Sequence, residues 1–199
     1  MKLFYSATSP YVRKVMVCAM LRRIDQRIEK IPTNPHESPA SLVAENPLSK
    51  VPCLLTEDGF ALFDSPVICE YLDGVGDALA LFPPAGAARW VALRLQAVGD
   101  GILDAAVARR MESAKPIDAA RETFMARQSH AVDRALAMLE RESLGALADI
   151  GAVSVACALG YLDFRFGAED WRTDHPRLAD WFAPIAELPA MLNTAPPVG

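Results

Sequence analysis

A serine directly before a proline is the first place where this sequence could do chemistry. Ser9-Pro10 follows the β-prone run Leu3-Phe4-Tyr5 and opens a stretch with apolar residues at helical spacing. Serine is a favoured N-cap and proline a favoured first helical residue, so the turn predicts the start of a helix. The same geometry offers free amide donors and the positive end of a helix dipole to an anion. A simple cap and an anion site both fit this turn.

A proline-bounded loop at residues 46–52 is the second candidate, because it leads into a predicted strand. A cis peptide bond before Pro52 would turn the N–H and C=O of Val51 outward, where they could pair with an extended peptide. Cis bonds are about 5–6% of X–Pro bonds, so an ordinary loop is the alternative.

The third candidate is Asp64-Ser65, which precedes Pro66 at the start of a predicted helix. The pair fits an ordinary N-cap. A carboxylate and a hydroxyl at a helix start also suit an amino acid head group. Asp64 would take the ammonium, and Ser65 with the backbone amides would take the carboxylate.

Strand and helix patterns alternate through the first 75 residues in the order β-α-β-α-β-β-α. The predicted elements lie at 3–5, 9–20, 27–31, 41–45, 53–55, 61–63 and from 64 onward. After a linker rich in Gly, Ala and Pro the strand patterns stop, and long apolar helical faces follow at 89–111, 117–142, 150–166 and from Pro176. We therefore predict an α/β domain at 1–75, a linker at 76–86 and an all-helical bundle domain at 87–199.

Composition excludes several classes of protein. The 199 residues carry a net charge of −5 with dispersed basic residues, which argues against a nucleic-acid partner. No apolar stretch approaches the roughly 20 residues of a membrane span, and no signal-peptide pattern follows Met1, so we expect a cytoplasmic protein without a membrane partner. The three histidines have no metal-ligand spacing, so no metal is expected. The cysteines are expected to be buried free thiols, and they are Cys18, Cys53, Cys69 and Cys157.

Together, in this order and spacing, three motifs resemble the cytosolic glutathione S-transferase family, in its bacterial form with a serine at the active-site turn. They are Ser9-Pro10-Tyr11-Val12-Arg13-Lys14-Val15, Asn46-Pro47-Leu48-Ser49-Lys50-Val51-Pro52 and Phe63-Asp64-Ser65. The resemblance implies a thioredoxin-like first domain with a cis Pro52, an all-helical second domain and a homodimer. It also implies a detoxifying transferase that adds the glutathione thiolate to small hydrophobic electrophiles.

The resemblance implies a role for each matching residue. Ser9 would face the sulfur of glutathione, the co-substrate, and stabilise its thiolate. Val51 would pair its backbone with the cysteinyl unit, while Asp64 and Ser65 would hold the γ-glutamyl end. Lys50, and less directly His36, would lie near the glycyl carboxylate.

Residues of the second domain would line the acceptor site. The candidates are Tyr11, Ala106, Arg109, Arg110, Met111, Tyr161 and Phe164. Asp100, between two glycines, is either a solvated surface acid or a cleft residue near the amine of glutathione.

Three departures from the family pattern stand out. Ser49 replaces a glycine found in many members, and Asp149 keeps half of a helix-capping box, because positions 146 and 152 are both alanine. No cysteine lies at the Ser9 turn, which argues against thiol-disulfide exchange. Two other functions stay open: a glutathione-binding interaction protein without turnover, and a glutathione-dependent isomerase or peroxidase.

Overall fold

The computed structural model describes residues 1–197, and its first half is built on a four-stranded mixed sheet. The strands are β1 Lys2–Tyr5, β2 Glu29–Pro32, β3 Cys53–Leu55 and β4 Ala61–Leu62. Their spatial order is β2-β1-β3-β4, with β1 parallel to β2 and the other two pairs antiparallel. The element order predicted for this thioredoxin-like half is confirmed.

Three helices complete this half: α1 Pro10–Leu21, α2 Ala40–Glu45 and α3 Ser65–Val75. The apolar residues that recur at helical spacing in α1 form its buried face, since Val12, Val15 and Ala19 are almost fully buried. α1 packs on α3 and also on the second half of the chain, so one helix is shared by both cores.

The segment between the two halves is held by a buried ion pair. Arg22 lies 3.1 Å from Asp73 and also donates hydrogen bonds to the carbonyls of Gly76 and Ala78. The Asp73 carboxylate in turn accepts the N–H of Leu81 at 2.7 Å. These contacts fix the linker in position although its sequence is rich in glycine, alanine and proline.

The second half is helical, as predicted. Its long helices are α4 Gly86–Glu112, α5 Ala119–Leu139 and α6 Ile150–Phe166, followed by α7 Trp171–Asp174, α8 Pro176–Ala186 and α9 Pro189–Leu192. α6 is buried along most of its length, as its apolar sequence predicts. α4 and α6 approach closely at Gly99, where an added Cβ would lie 2.7 Å from the Ser154 backbone.

Some strands and helices begin or end at other residues than predicted, because local hydrogen bonds set their ends. The second strand begins at Glu29 rather than residue 27, because a 3₁₀ turn occupies Asp25–Arg27. α5 ends before Glu140, whose side chain turns to α8 instead. The short helices α7 and α9 were not predicted, since four residues carry too little periodicity. Within residues 1–197 no helix is both long and apolar enough to cross a bilayer.

Candidate functional site

The register of the sheet brings the three candidate segments to one edge. Phe4 at the end of β1 pairs with Cys53 at the start of β3, and Leu54 pairs with Leu62 at the end of β4. The turn after β1, the loop before β3 and the start of α3 after β4 therefore lie side by side. The sequence separates Ser9 from Asp64 by 55 positions, and the strand pairing removes that separation.

Ser9 is the N-cap of α1, as predicted. Its Oγ accepts the Val12 N–H at 3.3 Å, and its backbone is extended while Pro10 occupies the first helical position. Because Oγ acts here as an acceptor, the hydroxyl proton remains available for a second partner. The N-terminal end of α1 thus presents one O–H donor together with a helix dipole.

Ser9 borders a small cavity of about 20 Å³ between the first turn of α1 and the end of the chain. Tyr5, Lys30 and Asn193 are among the residues that line the cavity. Arg13 closes the side next to the chain end, since its Nη2 donates to the Met191 carbonyl at 3.0 Å. Ser9 is half-buried, so its hydroxyl is open to a ligand at this spot.

The loop before β3 is organised by a buried asparagine. Asn46 is 1% exposed, donates to the Lys50 carbonyl at 2.9 Å and accepts the Leu48 N–H at 3.0 Å. The Val51-Pro52 peptide bond is cis, as the resemblance implied. Val51 lies before the start of β3, and among residues 1–197 no loop or turn hydrogen bond involves its N–H or C=O. Both groups can therefore serve an extended ligand.

Ser49 occupies a backbone conformation that favours glycine, with φ of 52°. Its hydroxyl donates to the Pro35 carbonyl at 3.2 Å and contacts the Ser38 hydroxyl at 3.0 Å. These bonds join the loop to the segment after β2 that carries His36. Lys50 and His36 directly follow the residues that these bonds join, and both side chains are exposed.

Asp64 and Ser65 differ in exposure. Asp64 is exposed and makes no capping bond to the helix, whereas Ser65 is 1% exposed and is the first residue of α3. Pro66 therefore occupies the second helical position, one later than predicted. The Asp64 carboxylate is free to take an external cation, and the first N–H groups of α3 have no partner within the helix.

Two further pairs join α1 to α4 across the junction. Lys14 is fully buried and its Nζ lies 2.5 Å from Asp100, while the Tyr11 hydroxyl donates to Asp104 at 2.5 Å. Both pairs link the start of α1 to the middle of α4. The two helices run in opposite directions here, because the earlier residue of α1, Tyr11, meets the later residue of α4, Asp104. The C-terminal turns of α4 therefore continue past Ser9.

Comparison with known proteins assigns the family. The glutathione S-transferase N-terminal domain matches residues 8–75, and the glutathione S-transferase C-terminal domain matches residues 117–183. The uncharacterized GST-like protein YibF of Escherichia coli (strain K12) is 34% identical over an alignment of 207 positions, which covers 99% of each chain. The chain belongs to the glutathione S-transferase family.

Solved structures of this family match the whole glutathione S-transferase fold of the chain. A glutathione transferase family member from Pseudomonas fluorescens Pf-5, with bound glutathione, matches with a TM-score of 0.92 at 44% identity over 99% of both chains. A structure of a family member from the same source, with bound S-(propanoic acid)-glutathione, matches with a TM-score of 0.88 at 43% identity over 100% of both chains.

The predicted acceptor residues of this glutathione S-transferase divide into two groups. Ala106 is fully buried, and Arg109 is 9% exposed and pairs with Glu169 at 2.6 Å, so the prediction that they line the crevice is wrong. Tyr161 is buried as well, at 6% exposed. The remaining candidates are exposed or half-buried, and they are Tyr11, Arg110, Met111 and Phe164. Helical spacing cannot separate the groups, because the partner helix decides which face is covered.

Asp100 is neither a solvated surface acid nor a free cleft residue. Its carboxylate is committed to Lys14, and burial raises its pKa above the usual range although Lys14 opposes the rise. Neither alternative foresaw the pairing of Asp100 with Lys14.

The four cysteines are free and buried, as predicted. Burial raises the pKa of the Cys53 thiol to about 11 and that of Cys157 to about 12. A hydrogen bond with Cys69, together with burial, also raises the pKa of Cys18. A thiol in this state is a poor nucleophile, because the thiolate is the reactive form.

Sequence reasoning missed the role of Lys14, Arg13 and Asp104. A signal was present for the Lys14 pair, since Lys14 lies beside the apolar face of α1 and Asp100 lies among small residues. Two opposite charges in apolar or small-residue stretches of different helices suggest a buried pair. Their partners remain ambiguous until the domains are docked.

Proposed function

We propose that this protein is a glutathione transferase that binds glutathione along the domain junction and adds its thiolate to small hydrophobic electrophiles. One observation carries the proposal. Ser9 caps α1 through its oxygen and keeps its hydroxyl proton for a second partner. The backbone of Val51 and the Asp64 carboxylate, which makes no capping bond to α3, lie at the same end of the sheet. The glutathione-bound relative from Pseudomonas supports the choice of ligand.

Each residue has a defined part in binding. The N–H and C=O of Val51 pair with the cysteinyl unit in the manner of an added strand. Asp64 takes the α-ammonium of the γ-glutamyl unit, and Ser65 with the first amides of α3 takes its α-carboxylate. Lys50 attracts the glycyl carboxylate, and His36 contributes at longer range because both side chains are exposed there.

Ser9 stabilises the reactive thiolate by donating its O–H to the sulfur. Lowering a thiol pKa from about 8.5 to about 6.5 corresponds to about 3 kcal/mol. A hydrogen bond to a charged group contributes about 1.5–3 kcal/mol, and a helix N-terminus adds about 0.3–1 kcal/mol. The two contributions together suffice. The thiol proton leaves to solvent, and the sulfur then attacks the electrophile, so Ser9 itself forms no covalent bond.

A relative with a substituted glutathione supports turnover rather than binding alone. The family member from Pseudomonas fluorescens Pf-5 was solved with S-(propanoic acid)-glutathione, in which the sulfur carries a substituent. A site of this fold thus accommodates a group attached to sulfur. The wall beyond Ser9 in the present protein contains exposed Met111 and half-buried Phe164, which suit an apolar substituent.

Binding and turnover are tested separately. Calorimetry with glutathione should show binding that weakens in Asp64→Ala, and a panel of halo-aromatic, epoxide, hydroperoxide and disulfide substrates should show conjugation. Ser9→Ala and Ser9→Gly both remove the hydroxyl, but glycine costs an N-cap only a few tenths of a kcal/mol, whereas alanine costs about 1 kcal/mol. Equal losses of kcat in the two variants would assign the loss to the hydroxyl rather than to the cap.

The same assay separates the alternative functions. Binding of glutathione without turnover of any substrate would identify a binding protein, and turnover of hydroperoxides or isomerisable substrates alone would identify the other enzyme classes. Ser9→Thr, which keeps a hydroxyl, should retain part of the activity. A Ser9→Gly variant with full conjugation activity would contradict the proposed mechanism.

We further propose a cytoplasmic homodimer of two-domain subunits, divided at 1–75 and 87–199. Phe60, Val67 and Trp90 are 66%, 45% and 68% exposed, and the 2.6 Å pair between Glu70 and Arg89 holds α3 beside α4 in this region. Such exposed apolar residues on adjacent elements suit a subunit interface. Light scattering should give a dimer mass for the native protein and a monomer mass for Trp90→Arg.

A further inference from the structure

Two arginines lie at the open end of the crevice, beyond Ser9. α4 and α6 run in the same direction, since Gly99 meets Ser154 and the Arg109 guanidinium stacks 4.4 Å from the Phe166 ring near their C-terminal ends. α1 starts between them. The last turns of α4 and α6, which carry Arg110 and Arg165, therefore extend past the N-cap of α1.

Tyr161 lies one helical turn before Arg165 on α6, and it is 6% exposed. Burial raises the pKa of the Tyr161 phenol, and the positive charges of Arg165 and Arg110 oppose the rise. Arg165 also stacks 4.0 Å from the Phe164 ring, which restricts its orientation. Arg165 and its supporting ring Phe164 thus lie in the last turns of α6, and Arg110 lies in the last turn of the neighbouring α4.

Neither arginine has an acidic partner. Within residues 1–197 no carboxylate lies within 4.0 Å of Arg110 or Arg165, and the buried Nε of Arg165 makes no hydrogen bond. Neighbouring arginines behave differently, because Arg109 pairs with Glu169 at 2.6 Å and Arg172 pairs with Asp163 at 2.7 Å. A guanidinium that stacks on a ring and has no carboxylate partner among residues 1–197, as in Arg165, is suited to a planar carboxylate.

We propose that Arg110 and Arg165 form an anion subsite that selects electrophiles carrying a carboxylate a few atoms from the reacting carbon. The inference rests on the proposed function and deepens it by naming the substrate class. The nearest carboxylates at the base of the crevice already have partners, since Asp104 accepts from Tyr11 and Asp100 pairs with Lys14. They oppose a bound anion less than free carboxylates would.

Aromatic substitution provides a matched pair of probes. In 4-chloro-3-nitrobenzoate and 4-chloro-3-nitrobenzamide the thiolate attacks the carbon that bears chlorine. The C–S bond forms, the C–Cl bond breaks, and chloride leaves with the electron pair. The probes differ only in a carboxylate against a carboxamide, and dividing each kcat/KM by the uncatalysed rate removes their different intrinsic reactivity.

We expect the normalised kcat/KM to favour the benzoate by about tenfold, the effect of one hydrogen-bonded ion contact. Arg110→Gln and Arg165→Gln should each lower the benzoate value about tenfold and change the benzamide value less than about twofold. Arg165→Lys should retain part of the preference. Arg94→Gln is the matched control, because Arg94 lies on the same helix and pairs with Glu142 away from the crevice.

A second measurement needs no turnover. Calorimetry should show the S-aryl glutathione conjugate with a carboxylate binding more tightly than the carboxamide conjugate, and the difference should vanish in the double arginine variant. Circular dichroism confirms that each variant is folded.

The outcomes separate the two proposals. Conjugation of both probes without preference, or equal effects of the arginine variants on both, overturns the subsite and leaves the transferase standing. Binding of neither conjugate, with no conjugation above the uncatalysed rate, overturns the transferase and the subsite together.

Discussion

The two walls of the crevice are built in different ways. The sheet wall offers backbone groups and short polar side chains, held where a strand meets a helix, as at Ser9, Val51 and Asp64. The helical wall offers long side chains on α4 and α6, such as Arg110 and Arg165. Positions in the first wall follow from local geometry, whereas those in the second depend on how two helices pack against α1.

This contrast suggests a division of labour. A wall of backbone groups and helix starts gives a fixed pattern of donors that suits one constant ligand. A wall of long side chains changes its charge and shape with single substitutions, without altering the fold. We therefore expect changes in the helical wall to alter electrophile preference, and changes in the sheet wall to alter glutathione binding.

The largest expected effect comes from the buried pair that joins the two walls. Lys14→Met leaves Asp100 partly buried without its partner, so we expect a loss of about 3–5 kcal/mol in the free energy of unfolding. Urea denaturation measures the loss. The double variant Lys14→Met with Asp100→Leu should recover much of the stability, because no unpaired charge remains.

The surface pair of Arg27 and Glu57 serves as the control for that experiment. Both side chains are about half exposed, at 46% and 56%, so Arg27→Gln should leave stability almost unchanged. A Lys14→Met protein as stable as Arg27→Gln would show that the two walls do not depend on this pair.

Two glycines on α4 test how closely the helical wall is packed. Gly99→Ala brings a Cβ to 2.7 Å from the Ser154 backbone, so we expect a loss of about 1–3 kcal/mol. Gly101→Ala, with no atom within 4 Å of its new Cβ, should gain up to about 1 kcal/mol from helix propensity. Thermal unfolding compares them. Equal effects of the two substitutions would contradict the close approach of α4 and α6.

The sequence predicted the sheet wall well because its signals are local. Ser9 before Pro10, a proline-bounded loop and Asp64 before a helix each restrict the backbone within a few residues. The strand and helix order followed from hydrophobic period together with the Gly and Pro residues that bound the elements. Assembly of the three segments at one edge then required only the pairing of neighbouring strands.

The helical wall could not be resolved in the same way. Arg109 and Arg110 are adjacent and chemically identical, yet Arg109 turns to Glu169 and only Arg110 remains unpaired. Which of them faces the crevice depends on α6 and the segment after it, about 60 residues away. The pairing of Lys14 with Asp100 has the same origin, since burial of both charges arises only when the domains dock.

The loop of the sheet wall gives a smaller effect. Ser49→Ala keeps the unfavourable positive φ and loses the hydroxyl contacts to Pro35 and Ser38, so we expect a loss of about 1 kcal/mol. Ser49→Gly loses the same contacts but removes the backbone penalty, and should be close to the unsubstituted protein. Urea denaturation and glutathione affinity should rank the variants in the same order. A more stable Ser49→Ala would contradict this account.

The smallest effect lies outside both walls. Glu140 accepts the N–H groups of Leu178 and Arg177 at 2.9 and 3.0 Å, and these bonds outweigh burial and lower its pKa. A carboxylate with a lowered folded pKa contributes stability above its unfolded pKa of about 4.3, and the contribution is lost as pH falls through the folded value. Glu140→Gln should slightly lower the melting temperature at neutral pH, and the difference should shrink in acid. A difference that grows in acid would contradict this sign.

The pKa of the bound glutathione thiol tests the central claim most directly. Ultraviolet absorbance of the thiolate, followed against pH in the complex, gives this pKa in the native protein, in Ser9→Gly and in Ser9→Thr. The account predicts a value near 6.5 for the native complex, a return toward about 8.5 in Ser9→Gly and an intermediate value in Ser9→Thr. A thiol pKa that is the same in the native and Ser9→Gly complexes would contradict the assigned role of Ser9.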